Sequence, residues 1–453
     1  MELTEVLNIS DWQVFQQKNN KADINVSFKI TEGSWLKKPI SDEEKRFSKI
    51  FYGIKIRCID ENTGRIIENW VECRQSNGLY EGVLKNIPTG GPYKIQKLLV
   101  FNDDGNFIEW AGSSVVEHIG VGDIFLIAGQ SNAAGWARGL YFDEIDMNLR
   151  SYNNGKWNVA SQPLGNNENH SPFLVFGKML SKSLGYPIGL IPRAVGGSPI
   201  TTWIDGGAHT ENLKKENINA LKGILWYQGC EEAGTNSYET YEDMFMNFLV
   251  TMRKLFCDDK LPVITFQLNR LLSSQNYEES INLGWENIRN VQQEIAKKHE
   301  NVYIIPTIDL KTMSDHIHNS VSSNKTLGER CALYALDCIY GKEKFKAPEL
   351  KKAVKLAQNI FMLEFDNVAE ELCTFEMSPK NLPVIAEDSM GINEIEKYEA
   401  SKNKIKIYTK RNIENDTKIK IHCGANPQYI IIDRDTQLPV VCIKNIELSP
   451  KHV

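Results

Sequence analysis

A chain of 453 residues exceeds what one hydrophobic core ordinarily organises, roughly 100 to 200 residues, so two or three domains are expected. Hydrophobic residues make up 42% and charged residues 24%, and 52 basic against 58 acidic residues leave a formal charge of -6, the composition of a soluble globular protein. The basic residues are scattered and the acidic total repels phosphate backbones, which argues against a nucleic-acid binder and favours a neutral or small-molecule substrate.

Met1 to Ile30 lacks the basic start, apolar run and small-residue cleavage site of a signal peptide, and no apolar stretch approaches the roughly 18 residues that span a membrane. The expected location is cytoplasmic; a secreted protein whose signal peptide has been removed reads the same way. Apolar and polar residues alternate strictly over Asp23–Ile30 and partly over Ile50–Cys58, and turn-rich pieces such as Pro88-Thr-Gly-Gly-Pro92 separate such runs, so residues 1–120 read as a β-domain. The pattern then changes. Asp123–Ala128, Ile188–Ile191, Gly223–Tyr227, Val263–Gln267 and Val302–Ile305 are short, mostly apolar segments suited to a parallel sheet covered on both faces. Between them, Phe245, Phe248, Leu249, Met252, Leu255 and Phe256 recur at helical spacing, and Leu327–Ile339 is a second helical run. Strands alternating with helices make residues 121–345 an α/β domain. Gly341–Pro348 reads as a linker, and Lys404–Thr409 and Lys418–His422 alternate again, so 349–453 is a second β-region. The nine cysteines form no CxxC pair and are expected to be mostly buried thiols.

Chemistry is suggested first by Gly129-Gln130-Ser131-Asn132, directly after the strand ending at Ala128. Ligands of open α/β sheets sit outside the carboxyl ends of the strands, and a serine there is a nucleophile once a base takes its proton. The local pattern Gly-x-Ser-x-Ala disfavours the α/β-hydrolase elbow. Taken alone, such a serine is more often a helix N-cap. Asp315-His316-Ile317-His318 offers the base: one short turn lets Asp315 hold the His318 imidazole and stabilise its cation, although both histidines also suit a surface loop. His316 is the weaker choice. Oxyanion donors are available at two further strand ends, the backbone near Gly196-Gly197 and the side chain of Gln228, which otherwise read as a turn and a satisfied strand-end residue.

In their order along the chain, Gly129-Gln-Ser-Asn132, Gly189-Leu-Ile191 leading to Gly196-Gly-Ser198 and Trp203, Trp226-Tyr-Gln-Gly229, and Asp315–His318 followed by Asn324-Lys325 and Gly328-Glu-Arg330 resemble the SGNH hydrolase superfamily. Within it they resemble the sialate O-acetylesterase-like (SASA) and carbohydrate esterase family 6 proteins. Ser10–Gln16, Ile87–Tyr93 and Gly424–Pro439 look like that family's flanking β-regions. The resemblance implies a central flavodoxin-like three-layer domain with a parallel sheet, flanked by N-terminal and C-terminal β-regions. It implies Ser131 as nucleophile, His318 as base and Asp315 as orienting acid. The oxyanion hole it implies uses the Ser131 and Gly197 N–H groups with the Gln228 side chain. Gln130, Asn132, Arg193 and Trp203 are the implied substrate-binding residues. The chain departs from the family pattern at Cys230, where glutamate is usual and Glu231 or Glu232 offers compensation, and in the histidine loop, with Asn319 where proline is common and extra residues before Lys325.

The expected reaction removes acetyl from a sugar hydroxyl through an acetyl-enzyme, and needs neither metal nor cofactor. The implied partner is a small-molecule or glycan O-acetyl ester, sialic acid among them, with no nucleic acid and no membrane; the oligomeric state is left open. Trp136, Trp203 and Trp226 suit either a sugar face or a core, and Arg193 or Arg138 either a carboxylate or solvent. Two alternatives stand beside this: an SGNH esterase or thioesterase for other acyl chains, and a catalytically dead carbohydrate-binding protein.

Overall fold

Alternation gives strand β1 (Lys21–Ile30) one dry face, with Ala22, Ile24, Val26 and Phe28 buried and the residues between them largely wet. The computed structural model describes residues 4–30, 51–103, 106–165, 169–216, 218, 220–272, 278–374 and 378–450; Ile50, with which the second expected strand opens, lies outside them. The chain divides into two units, one of Met1–Phe125, Glu144–Ser161 and Gly177–Ile191, the other of Leu126–Asp143, Gln162–Phe176 and Pro192–Val453.

In the first unit the antiparallel strands β2 (Phe51–Asp60), β3 (Leu79–Pro88), β4 (Gly90–Asp103) and β5 (Asn106–Gly129) join β1 around a core that includes Ile24, Phe28, Ile56, Leu84, Ile95 and Val116. β5 runs through residue 120 without a turn, and Val14–Gln16 pairs with it in parallel at Gly120–Gly122. The Gln16 side chain then closes on the strand, donating to Asp123 Oδ1 at 2.7 Å and accepting from the Ile124 N–H at 2.7 Å. Beyond it come β6 (Leu149–Asn153), β7 (Lys156–Val159) and β8 (Ile188–Pro192), in the sheet order β7-β6-β8-β5.

In the second unit the end of β5 is followed across the sheet by β9 (Gly223–Tyr227), β10 (Val263–Gln267) and β11 (Val302–Pro306), with parallel pairing of β9 to β10 and of β10 to β11. Every residue of β9 and β10 is buried, which is why these runs are continuously apolar instead of alternating. The helices of this unit include α1 (Ser131–Ala134), α2 (Cys230–Gly234), α3 (Tyr241–Leu255), α4 (Glu279–Lys298) and α5 (Val321–Cys338). α5 opens six residues before the expected Leu327, because Ser320 caps it and accepts from the Ser323 N–H. From Glu349 the chain is again β: β12 (Glu349–Ala357), β13 (Ile360–Asp366), β14 (Ile395–Ser401) and β15 (Lys404–Thr409) form a sheet in the order β14-β15-β13-β12, enclosing Phe361, Leu363, Ile405 and Ile407.

The fold is thus mixed α/β with some parallel strands. Among the described residues no helix is long and apolar enough to cross a membrane. The expectation of mostly buried thiols needs correction: all nine cysteines are free, but only Cys58, Cys331 and Cys442 are fully buried, and Cys257 is exposed.

Candidate active site

β5 ends on Gly129, whose φ of +118° and position against β9 admit no side chain: a Cβ there would lie 2.3 Å from the Tyr227 carbonyl oxygen. The Gln130 N–H donates to that same oxygen at 2.8 Å, which turns the chain into α1 with Ser131 as its first residue and Gln130 at its N-cap. Ser131 is therefore not the cap, and among the described residues its backbone N–H has no partner.

The loop between β11 and α5 brings up the other two groups. His318 Nε2 lies 2.8 Å from Ser131 Oγ, and His318 Nδ1 lies 2.9 Å from Asp315 Oδ2. Asp315 Oδ1 also accepts the N–H groups of Ile317 and His318, at 3.3 and 3.1 Å. Partial burial pushes the Asp315 carboxyl up, but the bonds from the His318 ring and these backbone groups outweigh it and hold the carboxyl below its ordinary value. His316 has φ +69° and is exposed, its carbonyl accepting from the Leu272 N–H, and its ring bonds to neither Ser131 nor Asp315. Trp136 stacks on the His318 ring with centroids 5.2 Å apart. A hydroxyl in contact with an imidazole whose far nitrogen is held by a carboxylate is an arrangement able to transfer a proton from oxygen to nitrogen.

Gly197, with φ +69° and open space where a Cβ would stand, likewise has a backbone N–H without a partner among the described residues. Gln228 does not join it. Its side chain is wholly buried, with Nε2 donating to Glu232 Oε2 at 2.6 Å and Ser198 O at 3.4 Å, so the expected third oxyanion donor points into the interior. Glu232 also accepts the Ile200 N–H at 2.6 Å; burial raises its carboxyl against these bonds. Of the two glutamates weighed as compensation for Cys230, Glu232 is the one turned inward. The Cys230 thiol, pushed up to about 12 by burial and then by Glu232, stays neutral and cannot stand in for a carboxylate.

The expected substrate-binding residues divide differently. Arg193 is held by both oxygens of Glu216, at 2.6 and 2.5 Å, leaving its guanidinium committed within the protein. Trp203 is fully buried and donates to Ser198 Oγ at 3.0 Å, and Trp226 is fully buried against Phe248; neither ring offers a face to a sugar. Arg138 is exposed, its N–H meeting Met313 Sδ in the histidine loop. Gln130 Oε1 accepts the N–H groups of Gly229 and Cys230, both at 2.9 Å, and so caps α2. Asn132 faces the histidine loop. Sequence reading missed this capping by Gln130, and also Ser198, whose hydroxyl donates to Gly129 O at 3.2 Å; no local pattern announces contacts between residues 69 and 99 positions apart. Among the described residues no three His, Cys, Asp or Glu side chains gather to hold a metal ion.

Residues 121–337 match the SASA family model, described as carbohydrate esterase, sialic acid-specific acetylesterase. Over 239 residues, 45% of this chain and 86% of the relative, the chain is 24% identical to a probable carbohydrate esterase of Arabidopsis thaliana. A crystal structure of a carbohydrate acetylesterase from Xanthomonas citri is similar with a TM-score of 0.67 at 19% identity, over 96% of this chain and 97% of that one, a likeness of fold. The resemblance read from the motifs thus holds over residues 121–337, and carbohydrate acetylesterase function is supported by the family match.

Proposed function

We propose that the segment matching the sialic acid-specific acetylesterase family is a serine O-acetylesterase whose nucleophile is Ser131. The observation that carries this reading is the contact chain Asp315 to His318 to Ser131, 2.9 and 2.8 Å long. The parallel pairing of β9 with β10 and of β10 with β11 also favours a flavodoxin-like three-layer catalytic domain over residues 121–345, between β-regions at 1–120 and 349–453.

In this mechanism Ser131 Oγ attacks the acetyl carbonyl while His318 Nε2 takes its proton, and Asp315 steadies the imidazolium. Negative charge develops on the carbonyl oxygen, toward the unpartnered N–H groups of Ser131 and Gly197; one such donor is worth roughly 10²–10³ in rate. The sugar alcohol leaves with the proton from His318. Water, deprotonated by His318, then attacks the acetyl-enzyme, acetate departs and Ser131 regains its proton.

The proposed substrate is an O-acetylated sugar, sialic acid first. Acetate release from 4-nitrophenyl acetate and from an O-acetylated sialic acid tests it, comparing wild type with Ser131→Ala. Loss of at least about 10⁴-fold in the variant on both substrates is expected. Release from the artificial ester alone would move the substrate to other acetylated glycans, and a fully active variant would overturn the serine mechanism.

A further inference from the structure

Asn132, the residue after the nucleophile, is 5% exposed and spends both ends of its carboxamide on the histidine loop. Its Nδ2 donates to the Ile317 carbonyl at 3.3 Å, and its Oδ1 accepts the Asn319 N–H at 3.0 Å. The two bonds bracket His318 from either side. Asn319, 1% exposed, is anchored in turn: its Oδ1 accepts from Asn269 Nδ2 at 2.7 Å. Asn269 lies just beyond β10, and its carbonyl accepts from two α4 side chains, Trp285 Nε1 at 3.0 Å and Arg289 Nη2 at 2.8 Å. A continuous run of hydrogen bonds therefore leads from α4 to the peptide units flanking His318 and on to the residue next to Ser131.

We infer that Asn132 is a positioning residue that sets the Ser131 to His318 contact, a two-ended clamp on the Ile317 carbonyl and the backbone N–H of residue 319 instead of a substrate ligand. The loop between β11 and α5 has no strand or helix from Thr307 to Ser320; within it an isolated antiparallel bridge joins Thr312 to Asn319 and the Met313 N–H donates to the His318 carbonyl at 2.8 Å, and Asn132 ties this folded loop to α1. A shift of the His318 backbone away from Ser131 stretches the bracket, because the residue gripping Ile317 and Asn319 is bonded covalently to Ser131. The clamp requires a residue with an N–H at 319. A proline there could not donate to Asn132.

The inference rests on the catalytic reading of Ser131 and His318 above, and the experiment separates the two. The full chain and its Asn132→Ala, Asn319→Ala and Asn319→Pro variants are assayed for kcat and KM on 4-nitrophenyl acetate, for the rate at which a fluorophosphonate labels Ser131, and for Tm. Misplacing a catalytic group by about 1 Å costs roughly 10²-fold, so Asn132→Ala and Asn319→Pro are each expected to lose that order in kcat and in labelling rate, with KM within about twofold. Asn319→Ala keeps the N–H while removing the shorter of the two bonds from Asn269 Nδ2 and leaving that to the Leu310 carbonyl, so it is expected to lower Tm and to retain kcat within about fivefold. If Asn132→Ala does not fold, the Asn319 pair decides alone. Equal labelling of wild type and Asn132→Ala, or equal kcat loss in Asn319→Ala and Asn319→Pro, overturns the clamp and leaves the nucleophile standing. A wild type that the reagent does not label at Ser131 overturns the catalytic reading beneath it.

Discussion

Gln228 donates to Glu232 across 2.6 Å with both side chains in the interior, and neither side chain bonds to Ser131, His318 or Asp315. An oxyanion donor removed by mutation costs about 10²–10³ in kcat. Gln228→Ala is expected to cost less than about 10-fold in the kcat of the folded protein, well under the loss of such a donor. Stability should fall by about 1–3 kcal/mol, because the variant leaves a buried carboxylate oxygen short of its donor. Initial rates and urea midpoints on the same preparation test this; a large kcat loss with unchanged stability would restore Gln228 to the oxyanion hole.

Glu232 carries a pH signature. Burial raises its carboxyl above 4.5 in the folded protein, so the unfolded chain loses that proton first as pH rises. Its contribution to stability is complete below the unfolded value and is lost as pH climbs through the folded one. Glu232→Gln is expected to flatten this decline, read from urea midpoints stepped from acid to neutral pH. An unchanged slope would show that Glu232 does not titrate in that range.

Asp315 has the opposite sign. Its carboxyl is lowered in the fold, so its contribution is present above the unfolded value of 3.8 and is lost as pH falls through the folded one. Asp315→Asn should weaken that acid loss and reduce kcat by up to about 10⁴-fold, since an amide can neither stabilise the imidazolium nor enforce the tautomer. Rates of acetyl ester hydrolysis and acid titration of folding measure the two effects separately.

Two glycines near Ser131 should respond differently to alanine. At Gly129 both the φ of +118° and the Tyr227 carbonyl 2.3 Å from the new Cβ oppose it. A loss exceeding about 4 kcal/mol, seen as failure to accumulate folded protein, is expected. Gly197→Ala meets open space and only the strain of φ +69°, about 1–2 kcal/mol, and keeps its N–H. Its kcat should survive; a lost kcat with intact folding would mean that the methyl group blocks the substrate.

Periodicity carried well wherever a residue's fate depended on its near neighbours. The alternation of Lys21–Ile30 and the apolar runs Gly223–Tyr227 and Val263–Gln267 state their burial directly, because strand geometry alone decides which side chains leave water. Asp315 and His318 were legible for the same reason, lying within one turn of each other. Direction was not legible. Whether Gln228 faces the crevice or the core depends on Glu232, four residues away on a helix whose start is itself capped by Gln130. Arg193 looked free until Glu216, 23 positions on, closed around it. A strand-end residue has two places to go, and the partner that decides between them comes from a different part of the chain.

β5 passes residue 120 unbroken, with Val14–Gln16 paired alongside and Gln16 gripping Asp123 and Ile124. Trimming a gene to begin at codon 121 would therefore slice a single strand in two. It would also remove both glutamines that donate to Asp123, at 2.7 and 3.1 Å, from a carboxylate with no exposure to water. The shortest fragment worth expressing is set by that hydrogen bonding and not by where the recognisable motifs start, and it must retain the residues around Val14–Gln17.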